Sequence, residues 1–255
     1  ASVQLRDART REEFVGRIAA FAKTVPAGTW ITGGDWDHTL WGGELPQRAW
    51  IDAVTPDHPV WVNRLDGHMA LANSATLKAV GLDRGVKAVY GGELIRDAAG
   101  DLTGLLKDNA MGLVDGKMPP PTPEMADRYL AAAMKYVNEQ GVTSVHHMGS
   151  WADIDVLARA WKAGTLTTRI HAAVPLDTWQ KLADAITAKT YGPDGRGDAW
   201  LRLGNLKGFV DGSLGSHTAA FEEPFTDAPK DRGLLVSTPD DLYAWTKGAD
   251  AAGLQ

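Results

Sequence analysis

The sequence predicts an α/β protein: βα units around a parallel sheet in its C-terminal half, preceded by a mixed α+β segment. Three observations predict it. Beyond residue 122, helical and strand patterns alternate at the spacing of βα units, giving three strands, each preceded by a helix. A stiff proline linker, Met118-Pro119-Pro120-Pro121-Thr122-Pro123, stands ahead of them. Before it the rhythm is irregular, with a hairpin signal and an aromatic, glycine-bounded loop.

In chain order, Thr10 and Glu13 form a capping box, and Phe14, Ile18, Phe21 and Ala22 recur at helical spacing, so a helix is expected over 11–24. Residues 29–43 make a loop dense in aromatic and acidic side chains, a composition suited to binding. A short helix over 46–52, opened by Pro46, and a strand over 59–63 follow. Asp66 and His68 occupy a tight turn, after which a small-residue helix over 73–80 ends at Gly81. Apolar runs on either side of Ala98-Ala99-Gly100-Asp101 read as a hairpin. These features set the boundaries: a first helical region over 1–29, an α+β insertion over 30–117, and the βα units over 118–255. In the last of these, Thr122 caps a helix ended by Gly141, Ser150 one ended by Gly164, and Asp177 one running to about 188. The strands between and after them are expected at 142–148, 168–174 and 201–210, and Thr238-Pro239 opens a fourth helix closed by Gly253. Three strands cannot close a barrel, which needs eight, so the chain is expected to stop within a fold.

Composition narrows the partners. With 255 residues, 44% hydrophobic and 23% charged, the chain has the profile of a soluble globular protein. A net charge of −6 without long basic blocks argues against a nucleic-acid groove or an anionic membrane surface, and no apolar run is long enough to span a bilayer. A small-molecule ligand is expected. Self-association into a homo-oligomer is compatible with the sequence, and a cytoplasmic location is slightly favoured. Cysteine is absent, which removes disulfides, thiolate ligands and cysteine nucleophiles. Of the ten tryptophans, Trp30, Trp36, Trp41, Trp50 and Trp61 lie close in sequence; core packing and an aromatic substrate pocket are both open to them.

Ligands in parallel α/β folds sit at the C-terminal ends of strands, which selects His146 and His147, then Lys207 through His217. Alternation places Leu203, Asn205, Lys207, Phe209 and Asp211 on one side of the last strand, so an ammonium stands in an apolar run. Three explanations are open: an ion pair with Asp211 or another carboxylate, a Schiff-base or general-base lysine with lowered pKa, or a carbamate that bridges two divalent metals. His146 and His147 point to opposite sides of their strand, so at most one faces the pocket. His171 reads as structural and His217 as a loop residue able to meet substrate. Asp35 and Asp37 form a weak carboxylate pair for glycoside chemistry.

Five ordered motifs resemble one family: Gly33-Gly-Asp-Trp-Asp37, Leu65-Asp-Gly-His-Met-Ala-Leu-Ala-Asn73, Gly91-Gly-Glu-Leu-Ile-Arg-Asp97 with Thr103-Gly-Leu-Leu106, Gly141-Val-Thr-Ser-Val-His146, and Lys207-Gly-Phe-Val-Asp-Gly-Ser-Leu-Gly-Ser-His-Thr-Ala219. Together they resemble the amidohydrolase-superfamily branch that contains N-substituted formamide deformylases. The resemblance implies an incomplete (β/α)8 TIM-type barrel with a mixed insertion, and up to two divalent metals, zinc being favoured, in the intact protein. It implies Lys207 as the carbamylated metal-bridging lysine, with His147 a weaker metal candidate because the family often has aspartate there. His68, Asp66, Asp35, Trp36, Trp41, Asp211 and His217 are expected to bind substrate. The family's first-strand His-x-His, later histidines and final aspartate are not in these 255 residues, so the fragment is expected to be inactive alone. The expected function is hydrolysis of an amide or formamide C–N bond. Two rivals stand beside it, a tryptophan-rich carbohydrate-binding or glycosidase domain and a non-catalytic ligand-binding domain.

Overall fold

The computed structural model describes residues 2–255, which divide into two compact units, one of residues up to Met118 with Val210–Ser237, the other Pro119–Phe209 with Thr238–Gln255. No helix of the described residues is long and apolar enough to cross a membrane. The division differs from the expected one in two ways. Residues 2–29 share a core with the insertion, and 210–237 belong with the first unit rather than with the βα units.

The first unit contains β1 (Ser2–Gln4), α1 (Arg11–Ala22), β2 (Thr32–Trp36), α2 (Arg48–Ile51), β3 (Trp61–Arg64), β4 (Met69–Ala72), α3 (Ser74–Val80), β5 (Gly92–Arg96), β6 (Leu102–Asp108) and α4 (Gly112–Asp115). Its sheet runs β1-β2-β3-β4-β6-β5, parallel over the first three strands and antiparallel thereafter. The short β1 carries no sequence pattern of its own; pairing with β2 from Ser2 opposite Thr32 makes it a strand. Thr10 caps α1 by accepting the Glu13 N–H at 3.1 Å, and Asn73 caps α3 by accepting that of Thr76 at 2.9 Å. The expected helix over 46–52 shortens to one turn, Arg48–Ile51, because Gln47 gives it no side-chain cap and a 3-10 turn takes over at Asp52.

Three of the five clustered tryptophans, Trp36, Trp41 and Trp50, belong to one core of this unit. Phe14, Ile18, Trp36, Trp50, Ile51, Val62 and Leu71 are buried together, with Trp41 packed against them. Phe14 meets Trp36, Trp41 and Trp50 at centroid distances of 6.4, 5.4 and 6.4 Å. Trp36 has 0% exposure and donates its indole N–H to the Val62 carbonyl at 2.9 Å. Truncating it to alanine is expected to cost about 3–5 kcal/mol, read as a lowered denaturant midpoint.

The second unit is regular: α5 (Pro123–Glu139), β7 (Ser144–Met148), α6 (Trp151–Lys162), β8 (Arg169–Pro175), α7 (Trp179–Thr187), β9 (Leu201–Lys207) and α8 (Pro239–Ala251). The three strands are parallel, in the order β7-β8-β9. Ser150 and Asp153 form the reciprocal capping box of α6, and Thr122 and Thr238 cap α5 and α8. Asp177 is not a cap: it lies inside a 3-10 turn, Leu176–Thr178, that leads into α7. Val145, Ile170, Ala172, Val174, Leu201 and Leu203 form the helix-covered side of the sheet.

Strand β9 departs from its expected form. It ends at Lys207, and it carries a bulge: Ala172 pairs Leu203 whereas Ala173 pairs Asn205. Gly204 takes up the extra residue at φ 150°, a conformation favoured by glycine. Strict alternation therefore fails there. Leu203 faces the core at 1% exposure, while Asn205 and Lys207 face the other side.

Candidate functional site

In the second unit the register puts His146 opposite His171, Met148 opposite Ala173, and Pro175 opposite Lys207. The side of the sheet not covered by helices thus presents His146, His171, Asn205 and Lys207. The two imidazoles stack at 5.3 Å. Together with Met148 and Gln255 these residues line a cavity of about 390 Å³. Lys207 is half-buried, and its ammonium lies 4.5 Å from the Phe209 ring centroid. Among the described residues it makes no ion pair, so the Asp211 pairing is not formed.

His147, the weaker metal candidate, is placed differently from His146. It shares the side of β7 that carries Val145, and its Nε2 lies 3.7 Å from Asp153 Oδ2 at the start of α6, an ion-pair rather than a hydrogen-bond distance. His147 and the Ser150 N–H and hydroxyl hold the Asp153 carboxyl well below its ordinary range against the cost of its burial. It is His146, not His147, that shares a face with Lys207.

In the first unit Arg64 organises a second polar group. It ends β3 at 5% exposure, and its guanidinium donates to Asp66 Oδ2 at 2.7 Å, Asp37 Oδ1 at 3.0 Å and His38 Nδ1 at 3.2 Å. Burial, followed by the Arg64 charge, pushes His38 below its ordinary pKa, consistent with a neutral ring accepting that bond. Asp66 Oδ2 also accepts the hydroxyls of Ser213, at 2.5 Å, and Ser216, at 2.8 Å. Burial would raise the Asp66 pKa, but these hydroxyls, the His68 N–H and Arg64 outweigh it and hold it low. Segment 212–219 closes on itself through Gly212 N–H to Thr218 O and Thr218 N–H to Ser213 O, both at 3.0 Å. Gly215 is required there, since a Cβ would collide with the Arg64 guanidinium.

His68 shares this unit, its Nδ1 2.6 Å from Asp108 Oδ1. Asp211 accepts the Ala220 N–H at 2.8 Å, and His217 stacks on Phe225 at 4.4 Å with Nε2 3.2 Å from Asp227. Asp35 accepts from Asn63 at 2.9 Å, and Asp37 from Thr39 and Arg64. Trp36, expected in a substrate pocket, is fully buried, and Trp41 packs on the same core with its indole on the Glu44 carbonyl. Neither stands as a free ring for a sugar to stack on. Sequence reasoning passed over Arg64 and Asp108, and held Ser213 and Ser216 only as members of the 207–217 segment. Arg64 carried a signal, a cation ending an apolar strand, which is the argument already applied to Lys207.

The fold is shared with solved metal-dependent hydrolases. An uncharacterized metal-dependent hydrolase from Pyrococcus horikoshii OT3 matches with a TM-score of 0.64 and 26% identity, over 100% of this chain and 48% of that one. The amidohydrolase family profile matches residues 1–255, and the chain belongs to that family. Among curated relatives, Protein LONG AFTER FAR-RED 3 of Arabidopsis thaliana is 38% identical over 266 residues, covering 100% of this chain and 45% of the relative. N-substituted formamide deformylase of Arthrobacter pascens is 30% identical over 106 residues, 41% of this chain and 20% of that enzyme. The chain thus spans less than half the length of the relatives it matches.

Proposed function

We propose that the chain is part of a metal-dependent hydrolase that cleaves the C–N bond of an amide or N-substituted formamide, with β7–β9 as consecutive strands of a (β/α)8 barrel. The observation that carries this reading is Lys207, a half-buried amine without a carboxylate partner among the described residues, at the end of a parallel strand and beside an open cavity. Family membership over all 255 residues supports it.

The donor set bears on the metal. Among the described residues no three histidine, aspartate or glutamate side chains converge as a metal centre. These residues supply one donor, Lys207 as its carbamate, rather than a complete set. A divalent ion, zinc for preference, accordingly needs ligands from outside this stretch, and the stretch alone is proposed to be inactive. Within it, His68 and Asp66, with Asp211 and His217, are the proposed substrate-facing residues.

The test uses purified full-length protein, measuring divalent metal content and formate release from N-benzylformamide. About two ions per chain and metal-dependent formate release are expected. A protein that binds no divalent metal and releases no formate overturns the reading and favours a non-catalytic binding role.

A further inference from the structure

A bulged strand competes with its own unbulged pairing, because a slip of one residue turns every side chain beyond it to the opposite face. In β9 that competition decides what Lys207 faces. With the extra residue at Gly204, Leu203 and Leu206 pack on the helix-covered core, and Asn205 and Lys207 look into the open cavity. Without it, strict alternation would send Leu201, Leu203, Asn205 and Lys207 to one side, burying an ammonium and turning Leu206 out of the core.

The contacts that meet at the bulge come from the loop before β9 and the segment after α8. The Gly204 carbonyl accepts the Gln255 N–H at 3.4 Å, and the Leu206 N–H donates to the Gln255 carbonyl at 2.7 Å, so Gln255 spans Asn205 along the edge of β9 away from β8. Arg196 holds the start of that segment. Its Nη2 donates to the Gly253 carbonyl at 3.2 Å, just past the end of α8, where a cation also meets the negative end of the helix dipole. Its Nη1 lies against Gly204, where an added Cβ would collide with it. The main chain of Arg196 is fixed too: its carbonyl accepts the Leu203 N–H at 2.7 Å, and its N–H donates to Asp194 Oδ1 at 2.8 Å. One guanidinium thus touches the bulge itself and the segment that pairs across it.

We propose that Arg196 and Gly204 are positioning residues for Lys207. Gly204 supplies the φ of 150° and the space beside its Cα; the Arg196 guanidinium fills that space and, through Gly253, locks β9 in the register that turns the Lys207 amine to the cavity. What the lysine then does there rests on the hydrolytic reading above.

The experiment uses the full-length protein with two readouts. In metal-stripped protein, in carbonate-free buffer, acetylation of Lys207 by acetic anhydride is followed by peptide mass mapping against the exposed Lys135, and reports which face the amine occupies. Zinc affinity is measured separately. Wild-type Lys207 is expected to be acetylated readily. Arg196→Met should slow that acetylation severalfold and weaken zinc binding by about 10–100-fold, the usual effect of removing a group that orients a ligand. Arg196→Lys still donates to the Gly253 carbonyl and should recover most of both. Gly204→Ala should resemble Arg196→Met, since its methyl expels the guanidinium. A wild-type Lys207 that resists the reagent overturns the proposal. So do variants with a lowered denaturant midpoint but unchanged acetylation and zinc affinity, because Arg196 then serves stability alone. A wild-type protein that acetylates at Lys207 but binds no zinc overturns the hydrolytic reading, and the acetylation ratios then decide the positioning role by themselves. If Gly204→Ala does not fold, Arg196→Met and Arg196→Lys decide.

Discussion

Lys207→Ala and Lys207→Arg are each expected to lower kcat/KM of the full-length protein by about 10³-fold or more, the several kcal/mol that a metal-held nucleophile supplies. Arginine should not substitute, because its guanidinium stays protonated and cannot take up carbon dioxide as a carbamate. Metal content should fall in parallel. The fold, by contrast, should be almost indifferent. Lys207 is half-buried and forms no ion pair among the described residues, so the change in unfolding free energy should stay within about 0.5 kcal/mol. If arginine retains full activity, the lysine acts only as a cation and the carbamate is wrong.

The contrast between Lys207 and its neighbours shows what the sequence could express. Helix starts were legible because a cap is a local event: Thr10, Asn73, Thr122, Ser150 and Thr238 each accept an N–H within their own first turn. The βα alternation was legible for the same reason. The bulge at Gly204 was not, since it exists only in the pairing of β9 with β8, and it reverses the side on which Leu203 lies. That single residue separates Lys207 and Asn205 from Leu203 and, through the register, puts both on the histidine face of the sheet. Trp36 likewise could not be assigned from its neighbours in sequence, because Phe14 and Val62, which enclose it, lie 22 and 26 residues away. Asp108 and His68 are 40 residues apart, and only the pairing of β4 with β6 brings them together.

Arg64→Met should be the most destabilising polar substitution in the first unit, about 3 kcal/mol or more by denaturant unfolding. Methionine replaces much of the volume but leaves Asp37 and Asp66, 20% and 16% exposed, without their shared cation. The His38 ring loses its donor as well. The pH dependence gives the sign. In the native protein burial raises the pKa of Asp37, but the Thr39 hydrogen bonds and then Arg64 outweigh it; Asp66 is likewise held below the ordinary 3.8, chiefly by Ser213 and Ser216. A depressed carboxylate contributes stability that is present above its unfolded pKa and lost as the pH falls through its folded value. Removing Arg64 raises both folded values, so that the variant profits from protonation where the native protein loses by it. The difference in stability between the two proteins should therefore be largest near neutral pH and shrink as the pH falls through the carboxylate range. A constant difference from pH 7 to pH 3 would mean that Arg64 contributes packing rather than charge. A double variant that also carries Asp66→Asn separates the two contributions, since it should recover part of the loss only if an unpaired carboxylate is its source.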